Sequence, residues 1–316
     1  MESKRKPVQM QLIISVIAAI FLFLRQLSFF ESQIVVPSYA TIENKHPSSS
    51  ARPIMYTFFE LKKLKNGDLA NKEFQYHQSM IKTWATLWSE AGWEPRVLTL
   101  ADAQKHPDYS RFSKKLMQLE KYLFKESYNY MCFVRWLAMA SHGTGGWMTD
   151  YDTFPVGKLG LNNIDGNNLP NYGVFTSFER WVPSLMSGSN SEWNRMAVLM
   201  MDMAIKKIQI EKKAFYSDML ALMDIYFEDD SSYIQEFVVS TYPYSSLNTV
   251  NCTQTKNLMA VHLSHASTRE AMDAGLLQVG EDEDYEDIRY LFAEQVATRW
   301  RDQCVPKDFQ EIITES

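Results

Sequence analysis

From about Pro53 onward the apolar positions alternate between two rhythms. Ile54-Met55-Tyr56-Thr57-Phe58-Phe59 is a short run of β-formers and predicts a buried first strand. Met80, Ile81, Trp84, Leu87 and Trp88 then fall at helical spacing and predict a helix over residues 77–91, with Gly92 as its cap. Residues 95–100 predict a second strand and 131–142 a second helix. After Gly143, Gly145 and Gly146, the trio Trp147-Met148-Thr149 predicts a short third strand. Strand, helix, strand, helix, strand is the order of an α/β domain with a mostly parallel central sheet. Further on, residues 173–178 predict a strand, 192–210 and 213–224 helices, and 258–263 a late strand. Residues 183–189, rich in Ser and Gly, read as a loop that either lines a cleft or simply joins two elements. The acidic run 281–287 reads as a solvated face or a helix start. No internal repeat interrupts this order.

The N-terminus follows another pattern. Lys4, Arg5 and Lys6 precede an apolar run from Leu12 to Leu24, broken only by Ser15. Extended to residues 8–30 it forms a helix of about 35 Å at 1.5 Å per residue, enough to span a bilayer. Arg25, Gln26 and Glu31 follow where a signal-peptidase site needs small residues, so an uncleaved signal anchor is expected rather than a cleaved signal. The basic cluster keeps residues 1–7 cytosolic and sends the rest across the membrane as a single-pass, type II protein. Residues 31–52, with Pro37, Pro47 and Ser48-Ser49-Ser50, read as a stem, leaving residues 53–316 as the folded domain. The sequon Asn251-Cys252-Thr253 is compatible with a lumenal location.

Composition narrows the classes. The chain has 316 residues, 46% of them hydrophobic and 22% charged, which excludes wholesale disorder, collagen and coiled coil. A net charge of −6 without a basic stripe argues against nucleic-acid binding. Eight Trp and 16 Tyr suit a surface that meets sugars or partner proteins. Three cysteines allow at most one bridge, with Cys252–Cys304 as the candidate pairing.

The chemistry-bearing stretch runs from Arg135 to Asp152. A helix carries Arg135, a glycine turn follows, and a short strand delivers Asp150 and Asp152. In an open parallel sheet, ligands bind beyond the carboxyl ends of the strands, where this pair falls. If the chain stays extended, the two carboxylates share a face. Like charges so placed repel unless a cation or water intervenes, and a hard divalent ion with phosphates completing its sphere is the expected solution. Arg135 suits a diphosphate or a nearby carboxylate, and the glycines allow close backbone approach to a ligand.

Arg135-Trp136, Gly145-Gly146 and Asp150-Tyr151-Asp152 together resemble the sugar-binding region of the DXD-motif glycosyltransferases, a group that includes retaining α-mannosyl and α-galactosyl transferases of the Golgi. The resemblance implies a GT-A fold, a Rossmann-like nucleotide-binding α/β domain, preceded here by the transmembrane helix. It implies a Golgi membrane location with a lumenal catalytic domain. It implies that Asp150 and Asp152 bind Mn²⁺ or Mg²⁺ and the donor, a UDP- or GDP-sugar, and that Arg135 contacts the donor. By the same likeness His262 completes the metal site, with His265 as fallback, and Thr57 and Phe58 meet the nucleotide base. The implied activity is sugar transfer, with retention, to a hydroxyl of a glycan, glycoprotein or glycolipid. Should retention use double displacement, Asp218 and Glu179 are the candidate nucleophiles by position, with a helix-capping or surface acid as the plain reading of each. Two departures stand out. Cys132 takes the place of an Asp that relatives carry three residues before the Arg, and the late Ser-Trp is replaced by Ala266-Ser267.

Cys132 also supports a rival reading, a catalytically inactive transferase fold that binds glycans or scaffolds partners at the membrane. A metal-dependent phosphohydrolase needs a longer, more apolar strand before its first Asp than Trp147-Met148-Thr149 supplies.

Overall fold

The alternation read from the sequence assembles a sheet whose two faces bury different residues. In the computed structural model, which describes residues 52–60, 71–119, 127–156, 169–211, 216–241, 258–273 and 285–304, strand β1 (Ile54–Phe58) lies between β2 (Glu94–Leu98) and β3 (Gly146–Thr149), parallel to both. Beyond β3 follow β6 (Val182–Gly188), β5 (Thr176–Glu179) and β7 (Ile234–Gln235), giving six strands in the order β2-β1-β3-β6-β5-β7. β6 is antiparallel to both neighbours and β7 parallel to β5, so five strands point one way and β6 alone is reversed. A second sheet joins β4 (Thr153–Pro155), β9 (Ala260–His262) and β8 (Val239–Thr241).

Period-two alternation sorts the strand residues between two cores. Tyr56, Met148 and Met186 face one, with α4 (Ser127–Ala140), α5 (Asn190–Ile205) and α6 (Asp218–Glu228). Met55, Trp147 and Leu185 face the other, with α1 (Asn71–Glu90) and α8 (Tyr285–Cys304). The result is a mixed α/β fold with helices on both faces of a mainly parallel sheet. Shorter helices α2 (Leu100–Ala103), α3 (Tyr109–Leu119) and α7 (His265–Asp273) complete it.

Several boundaries differ from expectation, one expected loop is a strand, and α2, α3, α7, β4, β7 and β8 lie in stretches that the sequence pattern leaves unassigned. Residues 183–189, read as a loop, are largely the central strand β6, buried from Pro183 to Gly188. Thr99 ends β2 early because it caps α2, its hydroxyl and N–H both reaching the carboxylate of Asp102. Ser217 caps α6, accepting from the N–H of Leu220 at 3.3 Å, so that helix begins at Asp218. The helix predicted to reach residue 210 is α-helical to Ile205 and closes in a π turn over Lys206–Ile210. The tryptophans build the interior more than the surface: seven of the eight are buried.

The chain divides into residues 1–50 and 51–316, and all described residues belong to the second unit. The apolar run 8–30, the stem up to residue 51, and the sequon lie outside the described residues, among which no helix is long and apolar enough to cross a membrane. Cys132 is a free thiol and Cys304 is disulfide-bonded; Cys252, the other half of the expected bridge, also lies outside them.

Candidate metal and donor site

From β1 the chain goes first to β2 on one side and later to β3 on the other, so a topological switch point lies between β1 and β3. Crevices at the carboxyl ends of such strands are where open α/β sheets bind ligands. The hydroxyl of Thr57 crosses that seam, donating to the carbonyl of Thr149 at 2.8 Å, and Trp84 Nε1 donates to Thr149 Oγ1 at 2.8 Å. Thr57 is therefore spent on joining the strands and is fully buried, while Phe58 is half-buried at the rim.

After Thr149 the chain does not stay extended. Asp150 donates its N–H to Ser184 at 2.8 Å and accepts from the N–H of Thr153 at 3.0 Å, which closes a turn. Leu263 donates to the carbonyl of Asp152 at 2.9 Å, and Thr153 pairs with His262 across β4 and β9. Pinned from β6 and β9, the turn converges both carboxylates on His262: one ligand atom from each of Asp150, Asp152 and His262 lies within 4.8 Å of the others.

Each member of this trio has a fixed partner. Arg135, buried on α4, pairs with Asp150 and also with Asp218 at 2.5 Å. Asp218 accepts further from Trp136 Nε1 at 3.4 Å and from the N–H of Met219 at 2.9 Å. As the first residue of α6 it also sits where the helix dipole favours a carboxylate. Arg289 of α8 donates to Asp152 at 2.6 Å, to the Leu263 carbonyl at 2.6 Å and to the Tyr76 hydroxyl at 2.8 Å. His265 Nε2 lies 2.9 Å from Arg289 rather than in the acidic trio. Glu179 Oε2 meets His262 Nδ1 at 3.0 Å and accepts from the Ser184 hydroxyl.

Four carboxylates (Asp150, Asp152, Asp218, Glu179) thus face two guanidiniums, Arg135 and Arg289, a surplus of two negative charges. Burial raises the pKa of Asp150 to about 6: Arg135 opposes the shift, but the charge of Asp152 adds to it. Burial also presses on Asp152, yet His262, Arg289 and His265 outweigh it and hold its pKa below the ordinary carboxylate value. Burial disfavours a charged His262 as well, but the carboxylates of Glu179 and Asp152 raise its pKa to about 9. The protonated ring therefore offsets part of the surplus at neutral pH.

A divalent ion fits these residues by charge: it would displace the proton of His262, and its two charges then match the surplus of two left by the carboxylates and guanidiniums. It fits by donor set, since the two carboxylates suit Mn²⁺ or Mg²⁺ and the imidazole favours the softer Mn²⁺ of the two. It fits by orientation too: Nδ1 of His262 is turned to Glu179, which leaves Nε2, 3.5 Å from Asp152, as the nitrogen facing the pocket. Carboxylate–histidine pairs of this kind are the usual support of a metal ligand.

The glycines serve the scaffold. A Cβ on Gly145 would lie 2.5 Å from the carbonyl oxygen of Gly188 and 2.6 Å from the N–H of Asn190, so close approach here is to the β6–α5 backbone. Cys132, one helical turn before Arg135, is half-buried, and burial together with the charge of Asp218 pushes its thiol pKa up. Two contributors carried no local sequence signal, Arg289 and Tyr76, because both reach the pocket from elements far along the chain.

A mixed α/β sheet whose carboxyl rim gathers two aspartates, a histidine and a buried arginine defines a protein with an acidic side-chain cluster beside its switch point. The chain belongs to the family described as a domain of unknown function (DUF8765), whose model matches residues 36–277. No curated protein matches the chain.

Proposed function

We propose that the protein is a metal-dependent glycosyltransferase of GT-A type, moving a sugar with retention from a nucleoside diphosphate to a hydroxyl of a glycan, glycoprotein or glycolipid. The observation that carries this reading is the convergence of Asp150, Asp152 and His262 within 4.8 Å at the carboxyl rim of the sheet. In this reading the N-terminal anchor holds the domain in the Golgi lumen. Asp150, Asp152 and His262 hold the ion, which when bound stabilises negative charge developing on the departing diphosphate.

The remaining residues have separable tasks. Arg135 stays charged, its two carboxylate partners outweighing the cost of burial, and it holds Asp150 in the turn that faces the donor in this reading. Asp218 orients Arg135, and Glu179 orients His262; each already has an ordered partner, which favours a positioning role over a nucleophilic one. Transfer then follows a front-face course. The bond from the anomeric carbon to the diphosphate oxygen breaks with its electron pair on that oxygen. The acceptor oxygen bonds to the same face of the carbon, and its proton passes to the departing diphosphate.

The test is to titrate the full chain, in detergent micelles, with UDP- and GDP-sugars in the presence and absence of Mn²⁺, following thermal midpoint and nucleotide release. Stabilisation by one donor that needs the metal, and that Asp150→Asn/Asp152→Asn abolishes, is expected. A folded chain that no donor and no metal stabilises would sink the reading and favour an inactive transferase fold.

A further inference from the structure

The β5–β6 hairpin turns at Arg180-Trp181, between the paired Glu179 and Val182. Arg180 has a φ of 57°, a conformation that such tight turns normally give to glycine or asparagine. Such a conformation persists only where the surrounding structure holds it, and it is a reason to ask what the side chain does. Its guanidinium lies 4.9 Å from the ring centre of Phe237 and 6.0 Å from that of Trp181, and Trp181 meets Phe227 at 5.7 Å. Phe227 is 67% exposed and Phe237 48% exposed, while Trp181 is the single tryptophan of the eight that is not buried.

The patch is tied to the acidic site through the backbone. Phe237 forms a backbone bridge with Glu179, whose carboxylate holds His262. Exposed aromatic faces grouped around one cation are the complement of a pyranose ring, which offers apolar C–H faces to stack on and hydroxyls at its edge for a guanidinium. A patch of four side chains is too small for a standard protein interface. Beside a pocket that handles a sugar donor, the matching occupant is the molecule that receives the sugar.

We infer that Arg180, Trp181, Phe227 and Phe237 form a carbohydrate subsite that seats the acceptor glycan. This rests on the transferase reading for the word acceptor, and on the patch alone for carbohydrate binding.

The test uses the full chain without metal or nucleotide sugar, so it does not share the fate of the donor titration. Lactose, α-mannobiose, chitotriose and sialyllactose are added in turn, reading saturation-transfer NMR and acrylamide quenching of Trp181. At least one saccharide should give a transfer signal and shield Trp181. That transfer signal should fall at least fivefold in Phe237→Ala and in Arg180→Gly, although glycine relieves the turn and leaves the thermal midpoint equal or higher. Loss of binding without loss of stability separates recognition from folding. The inference is overturned if no saccharide signals, or if the variants bind as the parent does. Binding to phosphatidylcholine/phosphatidylserine vesicles that Arg180→Gly removes, with no saccharide bound, would also overturn it and reassign the patch to the membrane. Saccharide binding without any donor binding would leave the subsite standing and remove only the transferase.

Discussion

Arg289 and Asp152 lie 137 residues apart in the chain and meet at 2.6 Å, the guanidinium fully buried and the carboxylate slightly exposed. Arg289 takes Oδ2 of Asp152 and leaves Oδ1 turned to His262. Its pKa is raised because Asp152 and the Tyr76 hydroxyl outweigh the penalty of burial, so it remains a permanent cation. Removing one partner of a buried ion pair strands the other. Arg289→Met should therefore lower unfolding free energy by about 3–5 kcal/mol. Urea denaturation at pH 7 checks this; a loss below 1 kcal/mol would show that water replaces the guanidinium.

Glu179 supports His262 from behind. Glu179→Gln keeps a hydrogen-bond partner for Nδ1 but removes the charge, and supporting groups of this kind change metal affinity about 10–100-fold. Weaker Mn²⁺ binding in that range is expected by calorimetry, with the fold intact by circular dichroism. An unchanged affinity would remove His262 from the ligand set.

Gly145 should tolerate alanine less well than Gly143. Both have positive φ, but a Cβ at Gly143 meets nothing within 4 Å, whereas at Gly145 it strikes the β6–α5 backbone. Gly143→Ala should cost about 1–2 kcal/mol from conformation alone, and Gly145→Ala clearly more. Thermal unfolding of the pair gives the order, and the reverse order would contradict the packing.

Glu192 gives a pH signature away from the pocket. It pairs with Arg195 at 2.6 Å and accepts from the N–H of Phe175 at 3.0 Å, tying the start of α5 to the chain entering β5. The Arg195 hydrogen bond lowers its pKa against the opposing effect of burial. With the folded pKa depressed, the unfolded chain binds the proton first, so the stabilisation is complete above the ordinary carboxylate value and fades as pH falls below it. Glu192→Gln should therefore be less stable than the parent at pH 7, and the gap should narrow by pH 3.5 in denaturant titrations.

How much of this was legible in the sequence varies with the range of the interaction. The first three strands and the long helices α1 and α4 were legible because apolar spacing is local, whereas α2 and α3 fall in stretches that the sequence pattern leaves unassigned. β6 was not: Ser184, Ser187 and Gly188 look like loop residues, yet Ser184 is buried because its hydroxyl has Glu179 to bond. The Asp150/Asp152 pair was legible as two neighbouring carboxylates but not as geometry, since it is the turn closed by Thr153, rather than an extended strand, that brings them together. The spacing of Ile288, Phe292, Val296 and Trp300 carries the helical signal of α8, but the acidic run before it hides the start. Nothing near Arg289 announces Asp152, because a pairing across 137 residues leaves no local pattern.

The last helix also bears on where the chain can be cut. The family match ends at residue 277, and α8 begins at Tyr285. Thr83 of α1 donates to Glu294 of α8 at 2.9 Å, and Phe292, Val296 and Trp300 share a core with Trp84 and Trp88. A fragment trimmed to the family boundary would bare that apolar seam and take away the counter-ion of Asp152 in one stroke. Its failure in an assay would then report a collapsed scaffold and say nothing about catalysis.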